Sequence, residues 1–503
     1  MITGISLNLI TQQSLFPSLI IKVVCMSQFI ASLGKGAKWT VIDKVLNQLF
    51  KVVVLIFMAR LLTPEEFGFI TIATFFILIA ESFVNSGFTH AYINSRVGKK
   101  QGFTNLVILN VITSIVFCII IVCFSMFIEG YYEVEGLSDL LCVFSPIIII
   151  DSLYSCYRAL AEKELKFKSI TIVVLPSYVA GAIVGIACAY NGFSYWSIVI
   201  QHFVYKALLL ILTYNTLGKN SINYNSINVQ IIKDYINYGW KLQISALINV
   251  FSKELNSFVI GTSVGVSQAG LYARVNNLQA LIVQTVVMVV ERVSFPLLSS
   301  NKDKPEELVE NTRTTNILFA MVLYPILCSL YINSEDVIFV LFGSEWVHAS
   351  SMLEILLFAG SVRFMQSSNL TYLKVISRTD VVLKLRMVEA IISVTSISIG
   401  YNWGLKGLVI SVVIASYISY VIIALVTSRL SNYRLINQIK DVILLFIASI
   451  ISASIVEVLM QGMFYDSFIF ILGGIVIKTV FLFLCYMAIV RFALWPVVFS
   501  KLR

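Results

Sequence analysis

The chain has 503 residues, 58% of them hydrophobic and only 13% charged, and carries a formal net charge of +9. An ordinary soluble domain holds roughly a quarter charged residues, so water is excluded as the main solvent. Little of the apolar sequence alternates as barrel strands do, and the positive bias of cytoplasmic loops explains most of the basic excess without any nucleic-acid partner.

The first 36 residues read as an N-terminal extension. Their apolar stretch from Leu15 to Met26 is broken by Pro17 and Lys22 and has no basic region before it, which makes a poor signal peptide. The sequence after Met26 would serve as a cytoplasmic start, so a mis-assigned upstream start codon is expected. Beyond this point the apolar residues fall in runs of about 20, enough helix to cross about 30 Å of hydrocarbon. Fourteen spans are predicted, near 40–62, 67–88, 103–128, 138–157, 170–190, 194–215, 236–260, 271–297, 313–332, 349–373, 384–401, 405–427, 441–461 and 467–490.

Basic residues sort by alternate loops. Arg96, Lys99 and Lys100 follow the second span, Arg158, Lys163, Lys166 and Lys168 the fourth, and Lys302, Lys304 and Arg313 the eighth. Lys374, Arg378, Lys384 and Arg386 follow the tenth, and Arg429, Arg434 and Lys440 the twelfth. The odd-numbered loops are nearly free of Lys and Arg, with Arg60 and Lys406 as exceptions, and two of them are acidic. Both termini are therefore expected on the cytoplasmic side of the membrane.

A weak ordered repeat links the two halves. Trp39 precedes Gly68 as Trp240 precedes Gly270, Lys51 falls on Lys253 in that register, and Tyr190-Asn191-Gly192 resembles Tyr401-Asn402-Trp403-Gly404. The expected organisation is an N-lobe over 37–216, a cytoplasmic hinge loop over 217–234, a C-lobe over 235–427 and two accessory helices in 428–503. Halves with an even number of helices both start on the same side, so the repeat should be parallel, as in alternating-access transporters.

Ionisable residues inside spans cost about 2.5–3.5 kcal/mol on insertion scales and mark polar cavities or partners. In the first span Lys44, Asn47, Gln48 and Lys51 share one helical face, and in the seventh Lys241, Ser245, Asn249, Ser252 and Asn256 do so with Lys253 beside them. With Arg274, Arg292 and Arg363 they predict a basic, hydrated cleft that takes an anion such as phosphate or pyrophosphate. The alternative for residues near span ends is snorkelling to headgroups. Asp43, Glu81 and Glu291 are the candidate ion-coupling carboxylates, though each could equally neutralise a nearby cation. Pro176 and Pro325 lie inside spans, and Gly181 with Gly185 forms a GxxxG packing pattern.

Chemistry-bearing motifs are otherwise scarce. His90, His202 and His348 are far apart, the cysteines read as packing residues, and Gly34-Lys35-Gly36 lacks the spacing of a nucleotide-binding loop. No metal, cofactor or catalytic residue is expected, and the protein is not expected to be an enzyme.

The run Ala59-Arg60-Leu61-Leu62-Thr63-Pro64-Glu65-Glu66-Phe67-Gly68 after Trp39 resembles the opening signature of the bacterial polysaccharide flippases, the O-antigen and exopolysaccharide translocases. Looser similarity lies at Tyr157-Arg158-Ala159, Lys166-Phe167, Ile260-Gly261, Gly270-Leu271-Tyr272 and Phe295-Pro296. The wider group also contains multidrug and toxin extruders and the lipid II flippase. The resemblance implies an all-α polytopic membrane protein with two six-helix lobes in a V and a central cationic cavity. It also implies export of undecaprenyl-pyrophosphate-linked oligosaccharides for O-antigen, capsule or exopolysaccharide synthesis. The partners it implies are the lipid-linked oligosaccharide, membrane lipids, a polysaccharide polymerase and a chain-length regulator, with the protein itself a monomer. Competing readings are an ion-coupled drug extruder of the same fold, which a basic cleft disfavours, and a membrane polysaccharide polymerase or ligase. The latter should present a sizeable outward loop, whereas the longest one, 333–348, is too short for a domain.

Overall fold

The computed structural model describes residues 50, 52–164, 166–218, 227–300, 304–460 and 468–491. All regular structure among them is helical. Helix α1 (Val52–Leu61) leads into α2 (Pro64–Asn94) and α3 (Lys99–Tyr132). The next predicted span is two helices, α4 (Leu137–Phe144) and α5 (Ile147–Lys163). The break falls at Pro146, which has no N–H to continue the ladder. Next come α6 (Phe167–Tyr190) and α7 (Trp196–Thr213), then α8 (Val229–Ser263), α9 (Val266–Ser300) and α10 (Pro305–Ile332). A short α11 (Ser334–Phe342) and a 3-10 turn (Ser344–Ala349) precede α12 (Ser350–Val375). The chain ends in α13 (Thr379–Gly400), α14 (Gly404–Leu430), α15 (Leu435–Leu459) and α16 (Phe468–Ile489).

Nine stretches of described helix are long and apolar enough to cross a membrane, one of them, Thr379–Leu430, holding both α13 and α14. Large apolar side chains stand exposed along their outer faces, as with Ile112, Ile119 and Phe127 on α3 and Ile447, Ile451 and Leu484 on α15 and α16. A surface of that kind needs lipid rather than water. This is a multi-pass membrane protein. Many helices outrun their predicted spans: α8 begins at Val229, inside the segment expected to be a hinge loop, because the Asn228 side chain caps it by accepting from Gln230 N at 2.8 Å. Pro176 and Pro325 lie inside continuous helices, as predicted. Gly181 and Gly185 pack against Tyr205 and Gln201 of α7, where an added Cβ would lie 2.8 and 2.6 Å from side-chain carbons.

Helix α2 is the axle of the molecule. Thr63 and Glu66 form a reciprocal capping box, with Glu66 N donating to Thr63 Oγ1 at 3.3 Å and Thr63 N to Glu66 Oε2 at 2.7 Å, and Pro64 occupies the first turn. The helix then lies against α8 and α9 of the second half. At its start, a Cβ on Gly68 would stand 2.0 Å from Val266 O, and one on Gly270 would stand 2.1 Å from Pro64 O. Near its other end, Gly87 faces Gly239 with only 2.3 Å between its would-be Cβ and the Gly239 carbonyl. Only glycine allows backbones so near. Trp346 reinforces the first contact, donating its Nε1 to Ala59 O at 2.9 Å and meeting the Phe67 ring edge-on at 5.3 Å. The signature run thus builds one end of the seam between the halves. Arg60, an exception to the charge sorting, donates to Val340 O in the last turn of α11, where a cation suits the helix dipole.

The last two helices pack on the second half. Arg313 of α10 makes a bidentate pair with buried Asp441 of α15 at 2.8 and 2.9 Å, Tyr433 Oη donates to the same carboxylate at 2.9 Å, and Lys478 of α16 reaches Asp336 at 3.2 Å.

Candidate functional site

Two long helices, α8 and α12, are absent from the nine apolar stretches because too many polar residues interrupt them. In a bilayer such helices must turn their polar residues inward. Along α9, the buried atoms Arg274 Nε, Asn276 Oδ1 and Gln279 Nε2 meet no hydrogen-bond partner among the described residues. Arg274 lies on the seam, its guanidinium carbon 4.0 Å from the centre of the Phe67 ring of α2. Stacking on an aromatic face holds a cation without neutralising it. Arg363 of α12 donates to Gln279 Oε1 at 3.3 Å, and Gly360 makes room for that amide, since a Cβ there would lie 2.6 Å from Gln279 Nε2. No carboxylate stands within ion-pair distance of either arginine among the described residues.

The structure does not bring all the predicted residues together. Arg274 faces α2, whereas Arg363 faces the inner side of α9. Lys253 is exposed on α8 next to Glu254 and makes no ion pair among the described residues. Lys44, Lys51 and Asp43 lie outside the described residues, as do the side chains of Glu291 and Arg292, and with Lys51 so does its expected pairing with Lys253.

Glu81 proves to belong to a cluster that the sequence reading missed. Lys206 of α7 sits between two carboxylates, in direct contact with Asp151 of α5 and 3.6 Å from Glu81 of α2. Asn85, one turn after Glu81, donates to the other oxygen of Asp151 at 2.6 Å. All three charged side chains are mostly buried, at 18% exposure for Lys206, 16% for Glu81 and 9% for Asp151. Lys206 and Asp151 each fall within a predicted span, so the rule that singled out Glu81 would have found them too.

Residues 57–351 match the family described as polysaccharide biosynthesis protein. The chain belongs to that family. Among its relatives, the teichuronic acid biosynthesis protein TuaB of Bacillus subtilis is 22% identical over 358 residues, covering 69% of this chain and 71% of its own. The lipopolysaccharide biosynthesis protein WzxC of Escherichia coli is 22% identical over 369 residues, covering 73% and 74%. The succinoglycan biosynthesis transport protein ExoT of Rhizobium meliloti is 22% identical over 370 residues, with the same coverage. In fold, the chain is similar to the inward closed conformation of the lipid II flippase MurJ, with a TM-score of 0.72 over 90% of this chain and 99% of the other at 13% identity. It is also similar to an inward-facing MATE-family multidrug transporter, with a TM-score of 0.60 over 76% and 93% at 15% identity. The resemblance noted in the signature run is borne out by the family match.

Proposed function

We propose that this protein is a flippase that carries a lipid-linked, pyrophosphate-bearing oligosaccharide across a bacterial inner membrane by alternating access. The observation that carries the proposal is the pair of arginines, Arg274 and Arg363, placed within long helices of the bundle and without an ion-paired carboxylate among the described residues. A buried cation left uncompensated is costly, so such a site favours an anion brought by the substrate. At about 4 Å and an effective dielectric of about 20, one phosphate charge gains roughly 4 kcal/mol from each guanidinium. Planar guanidinium groups also suit the paired oxygens of a phosphate.

The seam supplies the switch in this reading. With α2 packed on α8 and α9, Arg274 is occupied by the Phe67 ring. Parting of the halves at the Gly68–Gly270 or Gly87–Gly239 contact would release it to the pyrophosphate. Lys51 and Lys253 are proposed to extend the anion path, together with Lys44 and Arg292. Glu81, Asp43 and Glu291 remain the candidates for ion coupling, with Glu81 now tied to Lys206. The undecaprenyl carrier, fourteen crossings in two parallel six-helix repeats, both termini in the cytoplasm and a monomeric protein supplied to a polymerase and chain-length regulator complete the proposal.

The test is a deletion strain complemented with wild type, Arg274→Met or Arg363→Met, with membrane levels checked. Stranding of lipid-linked repeat units on the cytoplasmic face and loss of surface polymer in the deletion and both variants is the expected result. Unchanged polymer in the deletion would sink the glycan reading in favour of drug export, which the MATE-like fold also accommodates.

A further inference from the structure

A cavity of about 410 Å³ opens at one end of the bundle, where the first turns of α2, α9, α12 and α14 meet the 3-10 turn Ser344–Ala349. It is separate from both arginines. Its ionisable lining consists of Lys406 from α14 and Glu345 and His348 from the turn. Lys406 is the second exception to the charge sorting, and unlike Arg60 it is bonded to nothing: neither it nor Glu345 makes a side-chain hydrogen bond or ion pair among the described residues. The turn itself is fixed, because Trp346 between the two charged positions is buried and bonded to Ala59 O. Lys406 and Glu345 are both exposed, so two opposite charges stand at the cavity where a ligand can reach them.

Three features identify that ligand's class. Formal charges of Lys406 and Glu345 cancel, so the cavity suits a molecule carrying both signs rather than a bare anion. Leu271, Met352 and Val409 give it an apolar lining, which continues outward along α14 over the exposed Ile410 and Ile414. Just before Lys406, Tyr401 and Trp403 stand 55% and 68% exposed, the pattern of aromatic residues at the headgroup level of a bilayer. We infer that the cavity is a binding site for a zwitterionic phospholipid headgroup, with its phosphate on Lys406 and its primary ammonium on Glu345. Phosphatidylethanolamine has this chemistry. A choline head lacks N–H groups to donate to Glu345, and a glycerol head carries no cation.

The site has a consequence for the seam. Pro64 of α2 lines the cavity together with residues of α9, α12 and α14, and its carbonyl is the one that Gly270 approaches. A headgroup seated there touches both halves beside their contact and holds this closed arrangement.

The experiment uses the full-length protein, delipidated and returned to nanodiscs of phosphatidylethanolamine, phosphatidylcholine or phosphatidylglycerol, with melting temperature and lipid retained in native mass spectra as readouts. Phosphatidylethanolamine should raise the melting temperature above the other two lipids and be the adduct retained. Lys406→Ala and Glu345→Gln should each weaken retention about fivefold, the most expected of a partly exposed ion pair, and Lys406→Arg should restore it. Soluble glycerophosphoethanolamine should not reproduce the stabilisation. Equal effects of phosphatidylglycerol and phosphatidylethanolamine, retention indifferent to both substitutions, or full stabilisation by the soluble headgroup would each overturn the assignment.

Discussion

Two sets of buried charges divide the molecule. In the first half, Lys206 is clasped by Glu81 and Asp151, with Asn85 completing the Asp151 shell. In the second half, Arg274 and Arg363 are held by a ring face and an amide oxygen, groups that orient a cation without cancelling it. Burial penalises both sets, and only the first is held in ion pairs within the chain. The first set therefore reads as a pin that joins α2, α5 and α7, and the second as a site waiting for charge from outside. The pin also lies on α2, the helix that lines the seam, so whatever disturbs it reaches the contact between the halves.

Removing the cation from the pin should give the largest effect. Lys206→Met leaves two carboxylates buried together, and breaking a buried pair in this way costs about 3–5 kcal/mol; a melting temperature within a degree of wild type would show that the cluster is hydrated and no pin. A smaller loss is expected for Lys206→Met combined with Asp151→Asn, because the double variant removes one charge of each sign. Recovery of part of the lost melting temperature, measured against the single variant, checks this. If the double variant is as unstable as the sum of its parts, the two residues do not act as a pair.

The smallest effect belongs to a carboxylate paired with two exposed lysines. Glu164, just past the end of α5, contacts Lys99 and lies 2.7 Å from Lys166. Burial raises its carboxyl, but the hydrogen bonds and charges of Lys166 and Lys99 outweigh that and hold it below the ordinary value of 4.5. A carboxyl lowered in the folded state stabilises above its unfolded pKa and loses that contribution as pH falls through the folded one. Glu164→Gln should therefore lower the melting temperature slightly at pH 7 and not at all once the pH falls well below 4.5, the ordinary value. Thermal scans across that range check the sign, and a difference that grows on acidification would contradict it.

Much of this architecture was legible before any coordinates, and the parts that were not share a cause. That the chain is built of long apolar helices followed from run length, and Thr63, Pro64 and Glu66 announced the start of α2 by capping chemistry that is local in sequence. Arg274 and Arg363 emerged from the cost of charge in hydrocarbon, which needs only a residue and its span. Gly68 and Gly270 align as counterparts in a repeat, yet no local pattern marks their backbones as touching. Such a contact joins elements 200 or more positions apart, as does the bond from Trp346 to Ala59, 287 positions away, that fixes the signature run. The Glu81–Lys206–Asp151 cluster was likewise hidden as a cluster, though not as residues: each member is an ionisable group in a predicted span, and only the packing of α2, α5 and α7 makes them neighbours. The break at Pro146 was missed because Pro176 and Pro325, inside equally apolar runs, are accommodated without one.

The most direct test of the contrast is Arg274→Met, followed at once for thermal stability of the purified protein and for translocation of lipid-linked glycan in cells. Burying a cation with no ion pair costs more than its contact with the Phe67 ring returns, so the account predicts an unchanged or raised melting temperature together with export reduced at least about tenfold, as expected for the loss of a charge-assisted contact of about 1.5–3 kcal/mol. Normal export, or a loss of stability as large as that of Lys206→Met, would contradict it.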